Sequence, residues 1–177
     1  EEQSVNATVN FDLKDSVLNT GSHLVFGVSR GEVVIDNSNV NVGTSRQLEN
    51  RSTLTIKNGS VVNGAVATSS NAKNPGTLIV DNATYAVTGE FSGSDLGTGK
   101  LVLKNMTIEK TGYGDTTGAW NTHAIIFSCN VEMSNITVNN GIAVQNGATL
   151  KNVTINEANG YYGLWINGNG QTVTADK

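Results

Sequence analysis

The feature that most constrains this chain is a short motif that recurs eight times along 177 residues. An apolar residue, any residue, a second apolar residue and then a charged residue lead into an Asn position, and any residue, Thr or Ser, and an apolar residue follow. Representative copies end at Asn37, Asn58, Asn82, Asn105 and Asn152; the first copy has Asp15 at that position and the last has Lys177. Successive positions differ by 22, 21, 24, 23, 30, 17 and 25 residues, a mean near 23. Self-similarity at such a period means a repeat architecture. Only short period-2 alternations occur, with no helical period, so each repeat is built from short strands. Three short strands and three turns fill about 22 residues, and such coils stack as a parallel β-helix.

The columns support the stack. Four places before the Asn lie Phe11, Val33, Leu54, Leu78, Leu101, Val131, Ala148 and Val173. Two places before it lie Leu13, Ile35, Ile56, Val80, Leu103, Met133, Leu150 and Ala175. Strand geometry puts both columns on one face, which must be the interior. A third apolar column, three places after the Asn, reads Leu18, Val40, Val61, Tyr85, Ile108, Val138 and Ile155. The Asn itself marks a sharp bend. Asn tolerates left-handed backbone, and its amide can bond the same residue one coil away.

The column just before the Asn tests the register independently. It reads Lys14, Asp36, Lys57, Asp81, Lys104, Ser134, Lys151, Asp176. Five of its seven neighbouring pairs are opposite in charge and none is alike. Opposed like charges destabilise a sheet and opposite charges help it, so the pattern predicts an in-register ladder.

Composition agrees and narrows the function. Charged residues make up 15%, aromatics 6%, and Gly 20 stands against a single Pro, a β-favouring and turn-rich balance. The net charge of −4 disfavours nucleic acid. No apolar run is long enough for a membrane-spanning helix. One cysteine, Cys129, excludes an internal disulfide and a Cys-based zinc site, and no cofactor is expected. A chain that begins at Glu1 is expected to be one domain, residues 1–177, cut from a longer protein with neighbouring domains at both ends.

The stretch Ser52–Val61, with Leu54, Ile56, Asn58, Gly59, Ser60 and Val61, resembles the right-handed parallel β-helices of the pectin-lyase-like superfamily. It is most similar to repeats of large surface proteins of gut bacteria and of autotransporter passengers. The resemblance covers nearly the whole chain and implies an all-β, right-handed parallel β-helix solenoid of about seven to eight coils. It also implies an extracellular protein, secreted or attached to a bacterial surface. Its motifs are structural, so they specify the fold better than the function.

The enzymes of that superfamily set a test of residues. Polygalacturonase-like sites need an Asp-Asp pair, a Gly-His-Gly and an Arg-x-Lys, and this chain has none of them. Glycosidase chemistry needs two carboxylates facing one cleft. Outside the ladder the candidates are Glu90, Asp95, Asp115, Glu132 and Glu157, which read as solvated loop acids. His23 and His123 lie four coils apart, too far for one metal. Seven Asn-x-Ser/Thr sequons occur, five of them on the Asn column, where they follow from the bend and the Thr beside it. An ice-binding face needs regular Thr, and the column two places after the Asn carries Thr only from Thr84 onward.

Binding residues are expected late in the chain. The repeat between Asn105 and Asn135 holds an insertion at 111–123 with Tyr113, Trp120 and His123. Long loops on a rigid scaffold carry function. The segment 160–166 adds Tyr161, Tyr162 and Trp165. Aligning 124–127, 141–144 and 163–166 turns Ile142, Val144, Leu164 and Ile166 inward and Ala143 and Trp165 outward. Exposed Trp and Tyr can stack on sugar or anchor a protein. The expected function is a non-enzymatic adhesion module for a host protein, such as an immunoglobulin, or for a mucin-type glycoprotein. A polysaccharide lyase or hydrolase, or its inactive stalk, is the alternative.

Overall fold

A computed structural model describes residues 7–27, 30–42, 47–63, 65–68, 76–85, 100–108, 124–127, 130–139, 141–144, 146–156, 163–166 and 172–176. The described residues are all-β and every strand pair is parallel.

One sheet has eight strands. In order they are β1 (Val9–Lys14), β4 (Gly31–Asp36), β7 (Thr53–Lys57), β10 (Thr77–Asp81), β12 (Lys100–Ile108), β14 (Asn130–Val138), β16 (Ala148–Ile155) and β18 (Val173–Asp176). Their register matches the columns residue for residue. Phe11 pairs with Val33, Val33 with Leu54, Leu54 with Leu78, and so on to Ala148 with Val173. Both inward columns are fully buried through the middle rows, from Val33 and Ile35 to Val131 and Met133.

A second sheet joins β2 (Val17–Asn19), β5 (Asn39–Asn41), β8 (Val61–Asn63) and β11 (Thr84–Tyr85). Strands β12, β14 and β16 run on through the bend and pair over this stretch too, Met106 with Ile136 and Ile136 with Val153. Two three-stranded sheets complete the architecture. One is β3 (Leu24–Phe26), β6 (Gln47–Asn50) and β9 (Ala65–Thr68); the other is β13 (Ala124–Phe127), β15 (Gly141–Val144) and β17 (Leu164–Ile166). One continuous core packs Leu48 and Phe26 from the third strands against the first two columns. In the first repeat the rings of Phe11 and Phe26 meet at 5.2 Å between centroids.

The bend is left-handed in every described repeat. Asp15, Asn37, Asn58, Asn82, Asn105, Asn135 and Asn152 all have φ between 45° and 56°. An L-residue enters this region at low cost only when its side chain is short and polar, which explains the Asn column. The amides also bond along the stack. Asn135 donates to Asn105 Oδ1 at 2.8 Å and Asn152 to Asn135 Oδ1 at 2.9 Å. In earlier rows Asn37 donates to Asp15 within the bend column, whereas Asn58 donates to Asp36 and Asn105 to Asp81 of the charge column, each at 2.7 Å. The sequon amides of Asn58, Asn105, Asn135 and Asn152 are thus engaged in holding the rows together.

The third apolar column needs one correction. Val40 pairs with Val62, not with Val61, and Val62 is the buried one. Gly59, at φ +74°, adds one residue between the Asn58 bend and β8 and shifts the frame by one. The same shift puts Val61, rather than Ser60, opposite Asn39 and Thr84.

Candidate functional site

The outward side chains of the eight-stranded sheet stand in three parallel rows. The charge ladder is one, and Lys57 Nζ lies 3.5 Å from Asp36 Oδ2 within it. The middle row runs Asp12, Val34, Thr55, Ile79, Val102, Glu132, Thr149, Thr174. The third contains Asn10, Glu32, Thr53, Thr77, Lys100 and Asn130.

Along the last four strands this face sinks into an open groove of about 240 Å³. Lys100, Asn130, Glu132, Thr149, Thr172 and Thr174 offer its polar groups, and Gly147 and Ala148 lie at its floor. Gly147 keeps the floor low: a Cβ there would stand 3.1 Å from Asn130 Oδ1. At the rim Lys100 Nζ meets Glu132 Oε1 at 2.6 Å, reaching diagonally across to the next strand. Both side chains are nearly half exposed. The paired charges and the three Thr hydroxyls give donors and acceptors with no net charge. Such a surface can hold a neutral polar ligand by hydrogen bonds.

Among the described residues no three His, Cys, Asp or Glu side chains converge to hold a metal. Glu132 is the one carboxylate in the groove lining, and it is paired with Lys100. His23 is exposed just ahead of β3.

Of the residues expected to bind, Trp165 is described. It sits on β17 opposite Ala143, half-buried, with its ring packed on that fully buried alanine. The alignment that paired these strands is reproduced, Ile142 with Leu164 and Val144 with Ile166. The expected exposure is not: Leu164 and Ile166 are 39% and 52% exposed. The reason is position, because β17 is the outer strand of its sheet and no described strand covers it. Tyr113, Trp120, His123, Tyr161 and Tyr162 lie outside the described residues, as do Glu90, Asp95, Asp115, Glu157 and Cys129.

The groove went unread in the sequence because its polar residues come from four strands spread over residues 100–174. The signal that finds it is the register of the outward columns, which sets Glu132 beside Thr149 and Thr149 beside Thr174. Comparison with protein families, with curated proteins and with solved structures finds no match to this chain.

Proposed function

We propose that this chain is a non-enzymatic binding module that holds neutral glycan on the outward face of its eight-stranded sheet. The observation that carries the reading is the groove lined by Asn130, Thr149, Thr172 and Thr174 beside the Lys100–Glu132 pair. At about 240 Å³ it is smaller than the ~300–1,000 Å³ typical of drug-sized pockets, so it suits a terminal sugar better than a long polymer. Its balanced charge favours a neutral ligand. Hydroxyl rows without an aromatic anchor in the lining favour sugar over a protein partner, whose contacts concentrate in desolvated aromatic pockets.

In this reading the repeats wind as a right-handed parallel β-helix of seven to eight coils. What supports the winding is the repeated in-register pairing of first strands, second strands and third strands, together with the strong preference for right-handed crossovers between parallel strands. The module belongs to a secreted or surface-attached bacterial protein, with a mucin-type glycoprotein of the host as its partner.

The test is calorimetric titration with O-glycosylated mucin-type peptides and with the same peptides stripped of sugar. Binding confined to the glycosylated form is expected. Thr149→Ala with Thr174→Ala should weaken it at least tenfold, about 1.4 kcal/mol, while the circular dichroism stays unchanged. Equal binding to both peptides, or to neither, sinks the proposal. Release of free sugar during the titration would instead support the polysaccharide-active alternative.

A further inference from the structure

We propose, resting on the glycan reading above, that the groove selects sugars bearing an N-acetylamino group and that a notch over Gly147 receives that group. The notch follows from register. Asn130, Gly147 and Thr172 each precede the first inward residue of three neighbouring strands, Val131, Ala148 and Val173. Asn130 and Thr172 are exposed and carry side chains, and Gly147 between them has none. The gap is one side chain wide, because the main chains on either side of it stand about 10 Å apart, two strand spacings. A Cβ on Gly147 would meet Asn130 Oδ1 at 3.1 Å and Thr172 O at 3.7 Å, so these two oxygens are the walls.

Walls and floor decide what fits. Thr172 O already accepts the Ala148 N–H at 3.1 Å, and a carbonyl keeps a second lone pair. The Asn130 side chain bonds no other group among the described residues, whereas the bend amides of Asn105 and Asn135 are spent along the stack. The floor, Gly147 and Ala148, is apolar. A sugar hydroxyl satisfies one wall and leaves the floor bare. An acetamide offers an N–H to Asn130 Oδ1, a methyl to the floor and a carbonyl oxygen to the hydroxyl of Thr149, the next outward residue of β16. One covered methyl and one added hydrogen bond together supply about a tenfold preference. The Lys100–Glu132 pair balances its own charge, so an uncharged acetamide suits the groove better than a free amine or a carboxylate.

The experiment is calorimetric titration with one threonine peptide in three forms: bare, with a single O-linked galactose, and with a single O-linked N-acetylgalactosamine. The two sugars differ only in the acetamide at C2. The parent should bind the acetamido form about tenfold tighter than the galactose form. Gly147→Ala fills the notch, and Asn130→Leu removes the wall that accepts the N–H; each should cut the preference to threefold or less. If Gly147→Ala fails to fold, Asn130→Leu, at an exposed position, decides. Equal binding of the two sugar forms, with none of the bare peptide, overturns this inference and leaves the glycan reading standing. Binding of no sugar form overturns both. A preference that survives in both variants places the acetamide elsewhere and overturns the assignment to Gly147.

Discussion

The Asn58 side-chain amide donates to the carboxylate of Asp36, one repeat back, at 2.7 Å. That bond is the main reason the Asp36 carboxyl is held below its ordinary value; burial opposes it, and the charges of Lys57 and Lys14 add to it. The folded chain therefore binds this proton less readily than the unfolded chain. Asp36 stabilises the fold above about pH 4 and loses that contribution as pH falls through its lowered folded value. Asn58→Gly keeps the left-handed bend, because glycine enters positive φ freely, and removes the donor. Urea unfolding at neutral and at acid pH should show a smaller drop for Asn58→Gly than for the parent. An equal drop would mean Asn58 does not set the titration of Asp36.

Asp81 stands between Lys57 and Lys104 in the ladder and accepts from Asn105 at 2.7 Å. Asp81→Lys sets three lysines in consecutive rows. A loss on the order of 1 kcal/mol is expected, since exposed pairs are weak but like neighbours add a penalty. High salt should recover part of that loss in the melting temperature. Asp81→Asn, which keeps an acceptor for Asn105, should lose less. A salt-independent loss in Asp81→Lys would argue that charge along the row is irrelevant.

How far the sequence carries depends on where each signal comes from. The two inward columns and the charge ladder were legible because each residue is repeated at one offset from an Asn that only a left-handed bend explains. Val61 was misplaced because Gly59 slips one residue into the turn, a change that no alternation records. A second amide ladder was invisible: Asn41 donates to Asn19 at 2.7 Å, Asn63 to Asn41 at 2.6 Å and Asn156 to Asn139 at 3.1 Å. Asn19, Asn41 and Asn63 end three-residue strands and Asn139 and Asn156 directly follow β14 and β16, so each reads alone as an ordinary turn Asn. The groove was equally hidden, since Lys100 and Thr174 have no relation until the rows are stacked. Trp165 was placed on the correct pair of strands, but its packing on Ala143 depends on which strand lies outermost.

The interior beside the bend changes character along the chain, and this predicts where a hydroxyl matters. Ser16, Ser38 and Ser60 occupy the inward position after the bend; Ala83, Met106, Ile136 and Val153 take it later. Ser60, fully buried, accepts from the Ser38 N–H at 3.1 Å and donates to the Lys57 carbonyl at 2.6 Å. Ser60→Ala leaves that N–H without its acceptor, at a cost of about 1–3 kcal/mol. Ala83→Ser, where a neighbouring repeat already tolerates a methyl, should change stability by less. A neutral Ser60→Ala in urea titration would show that the serine column is filler.

Gly31 begins β4 with φ at 107° and faces the backbone of Val9 across the pair. A Cβ there would overlap the Val9 carbonyl, which belongs to the β1 main chain and cannot swing aside. Gly31→Ala therefore combines left-handed strain with a backbone clash, about 2–4 kcal/mol together. Gly21, whose added Cβ would meet nothing within 4 Å, is the control and should accept Ala with little change in melting temperature.

Trp165 and the groove lie on different sheets, so their roles can be separated by paired measurements. Trp165 is half-buried on Ala143 at the outer strand of its sheet, and truncating it removes that contact. Trp165→Ala should lower stability by about 1–3 kcal/mol, less than a fully buried Trp would, because part of the ring already meets solvent. Glycopeptide binding measured below the melting transition should be unchanged in that variant. Lys100→Ala should do the opposite: it breaks the 2.6 Å pair with Glu132 at the groove rim, a partly exposed pair of small energetic value, and should weaken binding with little change in melting. If Trp165→Ala melts like the parent yet loses binding, the aromatic surface rather than the hydroxyl groove holds the ligand, and the assignment of the binding face moves to the sheet of β15 and β17.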